Sequence, residues 1–355
     1  MHACRTLQPP PFCLPHHPKP SIIPVRSPSA KFATAAALKE SIFVGEAAER
    51  SMDLVNKFMN LVVPPLTLAT LFFVLLTLYF LKLFLSLWSS FFPQDLRHKV
   101  VLITGASSGI GEHLAYQYAK KGAALALVAR REGRPKETAD RCMELGSPDA
   151  LVIPADVSKP DECRRFIETT ISHFGRLDNL VNNAGITCAC LFEEVTDITN
   201  FPQVMVSKAA LTNFYETLRI ELGREVGITI ATPGWTESET SQGKYLTKEG
   251  QMQVDLEMRD VQIGLFPVAY AEGCAKAVVE AACRGKRNVT VPAWFRSLYL
   301  YRFFAPEVMD LCYRVFYMGR PGREREALSK RVLDATGAKQ VINPSAIQGS
   351  EIKSD

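Results

Sequence analysis

The chain has 355 residues, enough for one large domain with extensions, and its 41 Lys plus Arg against 37 Asp plus Glu leave a net charge of +4. That near balance, with no basic stripe carrying interleaved aromatics, argues against a nucleic-acid partner. Nine cysteines without CxxC spacing read as a reduced intracellular chain, and Cys188 and Cys190 form a lone CxC with no neighbouring ligands, so no metal site is expected.

Residues 1–51 are not domain-like: they hold eight prolines and no acidic residue before Glu40. Two readings stand. One is a disordered or non-native extension with Met52 as the natural start. The other is a transit peptide, since such peptides are acid-poor and rich in Ser and Arg. Residues 58–81, FMNLVVPPLTLATLFFVLLTLYFL, are 24 residues without a charge. As a helix they extend about 36 Å, enough to cross a hydrocarbon core of about 30 Å. They therefore predict a hydrophobic membrane anchor within residues 52–96. Pro64-Pro65 is expected to break the helix near its start, which leaves a hairpin that dips in and returns as an alternative to a span. The flanking cations do not decide its orientation.

A nucleotide-type fold begins at Lys99. Val100 to Thr104 is an apolar, β-branched run followed by Gly105, Gly109 and Gly111, then a helix to about Lys121 and a second strand, Leu125 to Val128, ending at Ala129-Arg130-Arg131. Glycines let the backbone turn tightly and approach a pyrophosphate, which sits on the unpaired amides of a helix N-terminus. Gly105-Ala106-Ser107-Ser108-Gly109 also spells the GxSxG of a hydrolase nucleophile elbow. That chemistry needs a late histidine, and no histidine follows His173. The alternation goes on with a strand at Ala150 to Val157, a helix at Asp161 to Phe174, a strand at Leu177 to Val181, a helix from Val206, a strand at Ile228 to Ala231, a helix at Tyr270 to Ala282 and a last strand at Asn288 to Val291. Alternating β and α of this length predicts a doubly wound parallel sheet over residues 97–295.

Five motifs in order, TGASSGIG at 104–111, ADVS at 155–158, NNAG at 182–185, SKAAL at 207–211 and TPG at 232–234, resemble the short-chain dehydrogenase/reductase family. The anchor with its proline pair, and the tail from PAWFR, look closer still to its plant steroleosin branch, the 11β-hydroxysteroid-dehydrogenase-like proteins of seed oil bodies. The resemblance implies a Rossmann-like α/β fold and NADP(H)-dependent oxidation or reduction of a hydroxyl or ketone on a steroid-like lipid. It also implies a lipid-droplet or endoplasmic-reticulum location, and a homodimer among the possible assemblies. It sets the dinucleotide against Gly105, Ser107, Ser108, Gly109, Ile110 and Gly111, with Asp156 near the adenine and Asn183, Ala184 and Gly185 along the ribose. Where an NAD enzyme usually carries an acid at the end of the second strand, Arg130 and Arg131 would instead attract a 2′-phosphate. Ser238, in the polar loop after TPG, is a further candidate near the cofactor.

The family's chemistry belongs to Tyr-x-x-x-Lys and an upstream serine: the tyrosine exchanges the proton, the lysine holds the ribose and lowers the tyrosine pKa, and the serine orients the substrate oxygen. Lys208 matches the lysine, but Val204 stands at the tyrosine position. The 22 residues between Gly185 and Lys208 hold no tyrosine, and their only serine is Ser207. The shortfall is on the order of forty residues, more than an average helix and strand together, with a seam near Pro202 to Val206. The fold is therefore expected one strand and one helix short of the family pattern, with the two flanking strands able to pair directly. Tyr215 lies about 10 Å beyond Lys208 along the helix axis, too far to serve the same atom and read as a packing residue. Tyr245, in a mobile substrate loop, is a remote substitute donor. Residues 293–318 mix aromatics with arginines and suit either a membrane surface or the sheet edge; within 296–355, residues 323–355 read as a polar tail. Two functions stand: a membrane-anchored dehydrogenase lacking its proton donor, or a non-catalytic NADP-binding or lipid-droplet coat protein.

Overall fold

The computed structural model describes residues 28–91, 94–131, 133–187, 201–223, 225–247, 251–317, 327–337 and 342–343. Cys188 and Cys190 lie outside them. Helix α1, Pro28–Phe91, runs through both Pro64 and Pro65, so the proline pair does not end the helix as expected. Proline removes one i→i−4 bond and crowds the preceding turn, a loss that apolar helices absorb. The polar side chains nearby turn inward: Thr67 Oγ1 donates to Val63 O at 2.7 Å and Thr70 Oγ1 to Leu66 O at 2.5 Å. Leu54–Leu85, 32 residues of mean hydropathy 2.3, is long and apolar enough to cross a membrane. The helix also takes in residues 28–51, which carry no domain-like pattern.

The second unit carries the sheet. Strands β1 (Val100–Thr104) and β2 (Ala124–Ala129) are buried at every position, as expected of a parallel sheet covered on both faces. They pair in parallel, and with β3 (Ala150–Pro154) and β4 (Asn179–Val181) they form a sheet in the order β3-β2-β1-β4. On one face, Leu114, Ala115 and Tyr118 of α2 (Gly109–Ala119) pack with Ala275, Val279 and Cys283 of α7 (Ala271–Cys283) and with Ala139 and Cys142 of α3 (Gly133–Glu144). On the other, Phe166 of α4 (Pro160–Phe174) packs on Leu102, Ala126 and Val128. This is the doubly wound parallel arrangement.

Among the described residues, the sheet is interrupted beyond β4. After α5 (Phe201–Glu221), β5 (Ile230–Pro233) pairs in parallel with β8 (Asn288–Val291) in a separate ladder. The direct pairing of the strands that flank α5 is therefore not made. Strand β4 has only three residues and β5 four, and parallel pairing returns little per residue. Leu180 is left 46% exposed, and none of residues 207–221 is buried. Helix α5 bridges the two pieces by polar grips: Tyr215 to Asn182 next to β4, and Arg219 Nη2 to Ile228 O at 3.0 Å and Arg287 O at 2.9 Å next to β5 and β8.

The region after β5 is more ordered than the sequence implied. Strands β6 (Lys244–Leu246) and β7 (Met252–Val254) form an antiparallel pair, and α6 (Leu256–Ile263) follows, N-capped by Asp255. Short helices α8 (Arg296–Phe304) and α9 (Pro306–Phe316) follow β8. Residues 323–355 are not wholly a polar tail: α10 (Leu328–Thr336) buries Leu333 and Ser329, and Ser329 Oγ donates to Val261 O of α6.

Asp178 fastens β4 to β1. It accepts from Val100 N at 3.0 Å and from Lys99 Nζ at 3.3 Å, and Arg176 also bonds it. Burial pushes its carboxyl up, but Arg176, the Val100 amide and Lys99 outweigh this and hold it below the usual range. A depressed carboxylate contributes stability above the unfolded value of about 3.9, and that contribution is lost as pH falls through the folded value. The stability lost in Asp178→Asn, read by urea unfolding, should therefore shrink as pH drops from 6 to 3; a constant difference would contradict the assignment.

Candidate active site

The site at the strands' C-terminal ends starts from one joint. Gly105 takes φ +69°, and a Cβ there would lie 2.8 Å from Ala184 Cα. The turn after β1 thus lies directly against the chain leaving β4. Asn183 Nδ2 donates to Thr104 O and Gly105 O, each at 3.2 Å, and Ala184 N donates to Thr104 Oγ1 at 3.2 Å. A Cβ on Gly111 would collide with Gly105 O and Asn183 Nδ2, which seats the first turn of α2 on the same joint. Gly109, at φ +57°, begins α2 and faces Ser238. Ser107 and Ser108 are half-buried in this turn, whereas the Ile110 side chain packs on the core and leaves only its amide near the helix N-terminus.

Arg130 and Asp156 line one open cleft of about 380 Å³ at the ends of β2 and β3, together with Pro154, Ala155, Lys159 and Glu162. Asp156 caps its own loop by accepting from Ser158 N at 3.0 Å, and this bond lowers its pKa. Its amide donates to Glu162 Oε2 at 2.6 Å, and Glu162 pairs with Lys159 at 2.9 Å. Arg131 is exposed beside the cleft without lining it. Lys159 and Glu162 were not singled out from the sequence; their signal is the run Asp156 to Glu162, where a strand end meets the first turn of α4.

Lys208 reaches the joint from α5. Its Nζ donates to Ala184 O at 2.7 Å and Asn183 O at 3.2 Å, and a Cβ on Gly185 would lie 2.6 Å from Lys208 Cε. Much of the side chain is exposed, yet the ammonium end is withdrawn from water, and this desolvation lowers its pKa. Val204 lies one helical turn earlier in α5. Tyr215 is more than a packing residue, since its hydroxyl bonds the Asn182 side chain next to the joint. Tyr245 is not on a mobile loop: it is 3% exposed in β6, and its hydroxyl has no hydrogen-bond partner among the described residues. Burial raises its pKa, the wrong direction for a proton donor near neutrality. The adjacent Leu246 N donates to Thr187 O at 2.9 Å, which brings β6 beside the exit of β4.

Residues 99–206 match the family model for short chain dehydrogenase. Over 349 residues the chain is 46% identical to 11-beta-hydroxysteroid dehydrogenase 1A of Arabidopsis thaliana, using 86% of this chain and 100% of the relative. It is 44% identical, with the same coverage, to 11-beta-hydroxysteroid dehydrogenase A of Arachis hypogaea. The chain belongs to the short-chain dehydrogenase family. Among solved members, one from Mycobacterium marinum is 21% identical, with a TM-score of 0.46 over 56% of this chain and 95% of that one. Within this family frame, the joint at Gly105 and Asn183–Gly185 is the position on which the strand ends converge.

The joint's tightness can be tested by contrast. Gly105→Ala adds a methyl against backbone at φ +69°, whereas Gly175, at φ +75° after α4, has open space around a Cβ. Gly105→Ala should cost at least 1–3 kcal/mol, and Gly175→Ala about 1 kcal/mol. Equal shifts in urea midpoint for the two would contradict the close approach.

Proposed function

We propose that this chain is a membrane-anchored, NADP(H)-binding member of the hydroxysteroid-dehydrogenase-like branch, whose substrate half lacks the proton donor. The observation that carries the reading is Lys208 Nζ held on the carbonyls of Asn183 and Ala184 with no tyrosine one turn before it. The cradle fits a dinucleotide: Gly109 has no Cβ at the start of α2, where unpaired amides favour phosphate, and Arg130 borders the cleft with Asp156. Gly105, Ser107, Ser108, Gly109, Ile110, Gly111, Asn183, Ala184 and Gly185 would hold the phosphates and ribose, and Arg130 with Arg131 the 2′-phosphate. A bound nicotinamide would supply or accept the hydride at a steroid-like hydroxyl or ketone. Lys208 would orient the ribose, and Val204 has no proton to exchange.

The relatives' names favour a hydroxysteroid as the substrate class. Their alignment also supports an internal shortfall. It runs over 349 residues but uses 86% of 355, about 305, so roughly 44 aligned positions of the relative have no counterpart here. A lipid droplet or the endoplasmic reticulum suits the apolar helix Leu54–Leu85 and the exposed aromatics of α8 and α9, among them Tyr299, Tyr301, Phe303 and Phe304. The second reading, a non-catalytic NADP-binding coat protein, is favoured by the same missing donor.

Three outcomes test this. The chain should bind NADPH more tightly than NADH by fluorescence titration, and Arg130→Asp should reverse the preference; equal affinities in the unaltered chain would refute the 2′-phosphate assignment. NADP+-dependent oxidation of a hydroxysteroid should be 10²–10⁴-fold or more below that of a full-length relative. Val204→Tyr alone should not restore it, whereas insertion of the relative's segment between Phe201 and Ser207 should; robust turnover by the unaltered chain would sink the reading. Deleting residues 58–81 should move the protein to the soluble fraction, and a deletion variant still floating with lipid droplets would assign anchoring elsewhere.

A further inference from the structure

The loop that follows β5 crosses the start of α2. A Cβ on Gly109 would lie 3.1 Å from Ser238 Cβ and 3.5 Å from Glu237 O, so residues 237–238 run in contact with the glycine that begins the helix. The next residue, Glu239, turns its carboxylate toward that helix end. It accepts from Arg134 Nη1 of α3 at 2.7 Å and from Lys244 Nζ at 2.7 Å, and the nearby Ser108 side chain adds to what holds its charge. Ser108 is the N-cap of α2, yet its hydroxyl makes no cap bond to the helix. Burial pushes the Glu239 carboxyl up, but Lys244 and Arg134 outweigh it and keep it below the usual range, hence ionised at neutral pH. An anion thus already stands one residue beyond the contact of Ser238 with Gly109, beside the end of α2 that presents unpaired amides.

We propose that Glu239 is an internal anion beside the phosphate end of α2, which the pyrophosphate of a dinucleotide must displace from Arg134 in order to bind. This rests on the dinucleotide reading above, and only on the part common to NAD(H) and NADP(H). The contacts divide in a way that suits release. The one to Arg134 reaches out of the loop, and a phosphate satisfies the same donor. The contact to Lys244 lies within the loop, where Lys244 N also donates to Glu239 O at 3.0 Å. When the loop lifts, Glu239 leaves with its charge still paired, so displacement does not strand a carboxylate in a half-buried place. Glu237 N donates to Ala269 O at 2.9 Å and Asp255 N to Gly243 O at 2.8 Å, so the segment is held at both ends and the displacement is confined to the residues between them. The device sets cofactor affinity without touching the reacting atoms.

The test is a fluorescence titration of the full chain in detergent with NADPH and, separately, NADH, with inorganic pyrophosphate as a competing probe. Glu239→Gln keeps size and hydrogen bonding but removes the charge. It should bind both dinucleotides about tenfold more tightly, roughly 1.4 kcal/mol, and pyrophosphate should compete correspondingly better. Glu239→Ala, judged folded by the same unfolding midpoint, should tighten binding likewise and serves if the Gln variant does not fold. Tightening for NADH in a chain that does not prefer NADPH would support the device while rejecting the 2′-phosphate reading. Unchanged or weaker binding of both dinucleotides in the two variants would overturn the device and make Glu239 a brace for Arg134. No binding of either dinucleotide by any of the three proteins would overturn both the device and the dinucleotide reading.

Discussion

The site depends on one close approach, that of the turn after β1 to the chain leaving β4. Gly105 can lie against Ala184 only because it lacks a side chain, and Asn183 and Thr104 then hold the two segments by three hydrogen bonds. This joint fixes the start of α2, and so the direction of its unpaired amides. It also presents the carbonyls of Asn183 and Ala184 to Lys208. Asp178 secures the other end of the same strand pair. With both ends of the β1–β4 pairing fastened, a strand of three residues suffices to carry the lysine's partners.

What lies beyond that strand is held differently. The first four strands share two buried clusters, one on each face. The β5–β8 pair shares its helix α7 with the first of these clusters, but across the interruption residues 207–221 of α5, none of them buried, reach both sides by polar bonds. Hydrophobic burial supplies most of the cohesion of such a domain, and residues 207–221 of α5 contribute little of it. The first four strands are thus packed as a complete unit with α7, while residues 207–221 of α5 are tied to both pieces by side-chain hydrogen bonds.

Much of this was legible from the residues. The runs Val100–Thr104 and Asn288–Val291 end where their strands end, because apolar β-branched residues bounded by turn residues leave little choice. The glycine turn, Asn183, Asp156 and Lys208 were readable as motifs. Other features were not. Helix α3 is mostly polar and lies between loops, so its short buried stripe, Pro135, Thr138, Ala139 and Cys142, carries a faint signal. The proline pair promised a break that the surrounding apolar helix absorbs. Tyr245 reads as a loop residue because its burial comes from β7 and α6, partners distant in pattern though near in sequence. The contacts of Glu239 with Arg134 span 105 residues, and no local periodicity reveals them.

The central claim is that, among the described residues, the sheet stops at β4 and resumes at β5. Amide hydrogen exchange followed by mass spectrometry reads this directly, since amides in β1 and β2 are buried and paired while β4 and β5 each have one edge unpaired among the described residues. The account predicts strong protection over residues 100–104 and 124–129, and exchange at least tenfold faster over 179–181 and 230–233. Protection of β4 and β5 equal to that of β1 would mean that the two strands are paired across the interruption, and would contradict it.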